Sequence, residues 1–210
     1  EIKYMTAKEE DILTNQNYIQ NGTVIDKLLK SLIVTKFNYE ELLIGDKNAI
    51  MIASRILGYG AEYKFTYNGK EEVADLSKID NKPFDESLIT KGTNEFPFKL
   101  PSSDNDITFK FLTHGDESKI NQELEGLKKL GKEGSPELTT RLKYIVTSIN
   151  GDRTTKLIRE FIDEAFLARD ARSFREYISK VQPDVDLTFF PESSTKSINL
   201  PIGISFFWPD

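Results

Sequence analysis

The sequence predicts a mostly helical α+β fold made of two divergent copies of one strand–helices–β-hairpin module, and three observations carry that expectation. Apolar residues recur at helical spacing, most clearly as Val24, Leu28, Leu32 and Ile25, Leu29, Ile33. At Tyr63, Phe65 and Tyr67 the period drops to two, just before Asn68–Gly69, a strong signal for a two-residue hairpin turn. Similar segments then return in the same order in the second half of the chain.

In chain order, IKYMTAKEEDILTN reads as a short strand followed by a helix, with Thr6 and Glu9 at the spacing of a capping box. GTVIDKLLKSLIV is a helix with Thr23 as N-cap, and NYEELLIGD gives one or two helical turns closed by Gly45. Residues 46–57 follow as a helix bracketed by Gly45 and Gly58, with Ala49, Ala53 and Ile56 on its buried face. The first hairpin comes next, returning through KEEVADLS. Residues 80–100, with Pro83, Gly92 and Pro97, are the least regular stretch and read as a connector.

Ile107, Phe109 and Phe111 then alternate as a strand that leads into a long polar helix. GKEGSPE breaks it, with Pro136 at a first-turn position of the next helix. Helices are expected at ELTTRLKYIVTSIN, TTKLIREFIDEAFLARD and ARSFREYISKV, and a second hairpin at VDLTFFPESSTKSINLPIG. The internal echo pairs KYMTAKEE (residues 3–10) with KFLTHGDE (residues 110–117), and LKSLIV (residues 29–34) with LKYIVT (residues 142–147). The expected organisation is a first module at 1–80, a connector at 81–105 and a second module at 106–210.

Composition bounds the function. A chain of 210 residues can bury a sizeable core as one large or two small domains. A net charge of −6 and no long basic run argue against nucleic-acid binding, which needs clustered Lys and Arg to neutralise phosphates. Apolar runs fall well short of the ~18–20 residues of a spanning helix. EIKYMTAKEE has no basic region followed by an apolar one, so no signal peptide is expected and cytoplasmic synthesis is the default. With no cysteine and a single histidine, His114, thiolate metal sites, disulfides and multi-histidine centres are not expected.

No catalytic, cofactor or metal residues emerge. His114, in THGDE at a strand-to-helix junction, reads as a turn or capping residue. The carboxylates of KEEDI, GDE and IDEAF occupy first turns or polar helix faces, where the helix dipole and solvent account for them. Arg169, Arg172 and Arg175 gather near one helical face, with Asp170, Glu176 and neighbouring acids as expected ion-pair partners and an anion or nucleic-acid site as the alternative.

Six stretches together resemble the baseplate hub protein family of T-even-type contractile-tailed bacteriophages, which includes the small hub subunit and the hub assembly factor. They are MTAKEEDILT (5–14), NGTVIDKLLKSLIV (21–34), LLIGDKNAIMIASRILGYGAEY (42–63), FLARDARSFREYI (166–178), PDVDLTF (183–189) and LPIGISFFWPD (200–210). The resemblance runs almost end to end. It implies a late viral structural protein or virion-assembly factor that works through protein–protein contacts with other hub, spike or tape-measure proteins. Its place would be the host cytoplasm during assembly and the tail baseplate afterwards; a chaperone-like factor absent from the mature virion is the alternative, and a carboxylate-based enzyme a lesser one. In many relatives the first hairpin, and often the second, carries Cys-x-x-Cys, similar to a zinc-ribbon knuckle. Here the tips are YNGKEE and PESSTK, so the hairpins are expected to resemble metal-free zinc ribbons.

The tail SINLPIGISFFWPD alternates, with Ile198, Leu200, Ile202, Ile204, Phe206 and Trp208 on one face. The part up to Ile202 is expected to complete the second hairpin. Beyond Gly203, the residues Ile204, Phe206, Phe207 and Trp208 are expected to form a partner-docking segment, or to fold back when the chain is alone.

Overall fold

A computed structural model describes residues 1–84, 87, 92–130 and 136–208, and its architecture is mixed α+β with small antiparallel hairpins. The break predicted at residues 131–135, and part of the predicted connector, lie outside the described residues. The chain forms two compact units: Glu1–Asn38, Gly45–Lys82 and Asp184–Asp210 make the first, Tyr39–Ile44 and Pro83–Pro183 the second. These units cut across the sequential modules 1–80 and 106–210, because the second hairpin belongs with the first unit. A lone two-stranded ribbon is marginal in water and needs an apolar surface to rest on.

In the first unit, α1 (Ala7–Leu13), α2 (Gln16–Gln20) and α3 (Val24–Leu32) enclose Leu13, Val24, Leu28, Leu29 and Leu32; of the predicted α3 stripe Val24, Leu28, Leu29 and Leu32 are buried, and Ile25 and Ile33 are half-buried. The opening strand is reduced to one bridge, Ile2 to Ile33. Strands β1 (Glu62–Tyr67) and β2 (Lys70–Asp75) pair antiparallel up to Tyr67↔Lys70. That register leaves Asn68 and Gly69 as the turn, with φ of 50° and 76°, the left-handed geometry that matches strand twist. Strands β6 (Thr188–Phe189) and β7 (Ile198–Asn199) form the second hairpin. It rests on the first through Phe189, whose ring meets Phe65 edge-on at 5.3 Å between centroids.

Helix α4 (Ile44–Tyr59) includes both glycines expected to bracket it. Its buried face is also displaced from the predicted one. Ala49, Ala53 and Ile56 are half-buried, whereas Gly45, Met51, Ile52, Ser54 and Arg55 are buried. The apolar stripe misleads because a buried arginine takes a core position.

In the second unit, β3 (Phe96–Lys99), β4 (Asp106–Phe109) and β5 (Val146–Ile149) form an antiparallel sheet with β4 central. β3 lies inside the stretch expected to be irregular. β5 replaces the end of a predicted helix: α6 (Glu137–Ile145) stops where the β-branched run Val146, Thr147 begins. Helices α5 (His114–Lys129), α7 (Thr155–Glu160) and α8 (Ala168–Val181) complete the unit, and a π-helical turn at Phe161–Ala165 ends the helix predicted to run on to Asp170. The core gathers Phe96, Leu100, Ile107, Phe109, Leu142 and Phe174. The α5–α6–α7 side is tied by paired arginine–carboxylate forks, Arg141 to Glu117 and Arg159 to Glu123.

One hydrogen-bond pattern occurs in both units. Lys3 Nζ donates to Glu9 and Lys110 Nζ to Asp116, each at 2.8 Å. Each carboxylate also accepts from the N–H and hydroxyl of a threonine three residues earlier, Thr6 and Thr113. Lys3 N–H donates to the Leu32 carbonyl and Lys110 N–H to that of Ile145, again both at 2.9 Å. Helices α3 and α6, which present those carbonyls, each have 9 residues.

Candidate docking surface at the C-terminal tail

The tail is held before it is presented. Leu200 is buried, and its N–H donates to the Leu187 carbonyl at 2.9 Å. Tyr63 on β1 donates its hydroxyl proton to the Pro201 carbonyl at 2.9 Å. After Gly203 the backbone leaves extended geometry for a 3-10 turn, Ile204–Phe207. Strand β7 itself ends at Asn199, with one further ladder bond at Leu200, short of the Ile202 to which the hairpin was expected to run, and the later turn brings both Phe206 and Phe207 inward instead of alternating them. Both are fully buried; Phe206 meets Tyr63 edge-on at 4.8 Å and Phe207 at 5.3 Å.

Arg55 locks this arrangement. Its Nε donates to the Phe206 carbonyl at 2.9 Å, Nη1 to that of Gly60 at 3.1 Å and Nη2 to that of Glu62 at 3.2 Å. Its guanidinium lies over the Tyr59 ring at 5.2 Å. Burial lowers the pKa of the group from its ordinary value, and the carbonyl dipoles, together with the tyrosine rings, compensate the charge.

Beside this anchor a cavity of about 240 Å³ is lined by Glu10, Leu13, Thr14, Tyr59, Phe207 and Trp208. Trp208, one of these lining residues, is 47 % exposed. The Tyr59 hydroxyl faces Glu10 Oε1 at 3.5 Å; burial, and then the nearby Glu10 charge, raise its pKa. Of the four docking residues predicted from sequence, then, Phe206 and Phe207 serve as anchors, Ile204 is half-buried, and Trp208 alone is exposed. The sequence pattern misses Arg55, Tyr59 and Glu10. Their one advance signal is an arginine on an otherwise apolar helical stretch, just before GYG.

The chemistry-bearing residues elsewhere have structural partners. Asp170 is fully buried and accepts from the N–H groups of Ser102 and Ser103, so it is not an ion-pair partner for the α8 arginines; Arg172 does pair with Glu176, at 2.9 Å. His114 is the first residue of α5, buried, with its ring edge-on to Tyr39 at 4.8 Å. Glu95 accepts from Arg153, Thr147 and Thr108, and these donors, Arg153 foremost, hold it at about 2. At the second hairpin tip, Glu72 accepts the N–H groups of Glu192 and Ser193 and the Ser193 hydroxyl. Among the described residues no cluster of three or more His, Cys, Asp or Glu could hold a metal ion, and no helix is long and apolar enough to cross a membrane. No protein-family model matches this chain, and neither does any curated protein or solved structure.

Proposed function

We propose that this protein is a component of the baseplate hub of a contractile phage tail, or a factor that assembles that hub, and that it acts by binding other hub, spike or tape-measure proteins rather than by catalysis. The resemblance of its six motifs to the hub family supplies the biological setting. The observation that carries the binding role is Trp208: one large aromatic, 47 % exposed, beside a cavity of about 240 Å³, on a tail otherwise pinned by Arg55 and Tyr63. A rigidly backed aromatic loses little entropy on docking, which is why such residues dominate interface energetics.

The test is capture of purified hub, spike and tape-measure candidates by the full chain, followed by mass measurement of any complex. Trp208→Ala should keep the fold and lose the complex, with a cost of about 2 kcal/mol or more in affinity, the size of an interface hot spot. Capture that is indifferent to Trp208 would move the contact elsewhere. Stoichiometric presence in purified virions would assign the structural role, and absence from them the assembly role.

A further inference from the structure

Helix α8 carries its basic residues on one side. Arg169, Arg172, Arg175, Glu176, Ser179 and Lys180 are exposed, whereas Asp170, Ala171, Phe174 and Val181 are buried. The buried side fixes the helix within the second unit. Phe174 packs in the core, and Asp170 accepts from the N–H groups of Ser102 and Ser103 at 2.7 and 3.0 Å. The exposed side is thus a firmly backed row of four cations and one carboxylate, on a chain whose net charge is −6. Arg172, Arg175, Glu176, Ser179 and Lys180 line an open groove of about 540 Å³ along it.

The arginines are oriented but not used up. Arg172 Nε donates to Glu176 Oε1 at 2.9 Å, and Arg175 Nε to the Ala171 carbonyl at 3.2 Å. Each bond occupies the inner nitrogen and leaves Nη1 and Nη2 with no hydrogen-bond partner among the described residues. Arg169 and Lys180 have no carboxylate within ion-pair distance among the described residues. The two outward nitrogens of a planar guanidinium match the two oxygens of a carboxylate. Forks already held in place lose less entropy on pairing.

Spacing selects the form of the ligand. Arg169, Arg172 and Arg175 stand three residues apart, about 4.5 Å of rise at each step. A second helix offers carboxylates at i, i+3 or i+4, and i+7 with a similar rise, whereas an extended chain repeats on one face about every 6.7 Å. The row from Arg169 to Lys180 is only about 17 Å long, and a net-acidic chain disfavours a longer polyanion such as nucleic acid. Leu167, 49 % exposed at the start of α8, adds an apolar contact at one end.

We propose that this face of α8 docks an acidic helix of a partner protein, whose carboxylates take the free guanidinium ends of Arg172 and Arg175 and the ammonium of Lys180. Opposite charge steers such a partner to this face and sets its register along the helix. The surface belongs to the second unit and Trp208 to the first, so the contact stands or falls independently of the tail.

The probe is a fluorescently labelled, alanine-rich helical peptide with glutamates at i, i+4, i+7 and i+11, titrated with the full chain at low salt and read by anisotropy. Binding should saturate, and it should weaken as salt is raised. Arg172→Glu combined with Arg175→Glu should weaken it by roughly tenfold or more. Arg172→Lys combined with Arg175→Lys keeps the charge but removes the forks, and should still weaken it several-fold. Lys64→Glu combined with Lys70→Glu, exposed on the first hairpin, makes the same change in net charge and should shift binding by less than about twofold. Circular dichroism should show all three variants folded, since every substituted residue is exposed. No saturable binding, or a loss no greater than the hairpin control shows, would overturn the proposal. Tighter binding of a single-stranded oligonucleotide of equal charge would overturn it in favour of a nucleic acid. A mass that doubles with concentration, and no longer does so in the Arg172→Glu, Arg175→Glu variant, would overturn it in favour of a second copy of this chain.

Discussion

Arg55 Nε donates to the carbonyl of Phe206 at 2.9 Å, joining the middle of α4 to the last turn of the first unit. The other two guanidinium nitrogens that donate reach the carbonyls of Gly60 and Glu62, which lead into β1. One side chain therefore fixes both the first hairpin and the tail. Arg55→Met keeps the bulk of the stem but orphans buried carbonyls, and it should cost about 2–4 kcal/mol. Trp208 is the only tryptophan, so its fluorescence during urea unfolding measures this directly. The variant should show an earlier transition, with Trp208 emission already altered before the global one.

Glu72 makes the second hairpin sensitive to acid. The Ser193 hydroxyl, followed by the Glu192 and Ser193 amides, holds its carboxyl below the ordinary 4.5 against the opposing effect of burial. A folded-state value below the unfolded one means that the contribution is complete above the unfolded value and is lost as pH falls through the folded one. Thermal unfolding should therefore be flat through neutral pH on account of this group and drop in the acid range. Glu72→Gln should start lower and show a shallower acid drop.

The two lysine–carboxylate–threonine arrangements should be equivalent in weight. Burial pushes the Glu9 carboxyl up, but Lys3, Thr6 and Ser31 side chains and the Thr6 amide together outweigh it and hold the group well below its usual range. Glu9→Ala and Asp116→Ala should each cost about 1–3 kcal/mol, because each strands a lysine and a helix-capping threonine. Denaturant titration of the two variants checks this. A near-neutral effect at one site would show that the shared pattern does not carry shared weight.

Two glycines of α5 should respond oppositely to alanine. At Gly126 an added Cβ meets nothing within 4 Å, so the gain in helix propensity should stabilise by about 0.5–1 kcal/mol. At Gly115 the Cβ would stand 3.0 Å from the Glu40 carbonyl oxygen, a backbone atom with little freedom to withdraw. Gly115→Ala should lower the melting temperature and Gly126→Ala should raise it.

The sequence by itself determined the local structure wherever the local signal had no competitor. The α3 stripe, the Asn68–Gly69 turn, the Thr6–Glu9 cap and the Ile107–Phe109–Phe111 alternation each follow from spacing and turn chemistry, and each stands in the structure. The tertiary structure decided what depends on residues far apart in the chain. It turned Arg55 into α4's buried face, because only the fold brings the carbonyls of Gly60, Glu62 and Phe206 together to solvate a guanidinium. It placed the second hairpin with the first, since neither ribbon is stable alone. It also split the predicted docking segment into two buried phenylalanines and one exposed tryptophan. Alternation in a sequence reports how side chains point along an extended strand, and it cannot register the 3-10 turn that a distant arginine and tyrosine hold in place.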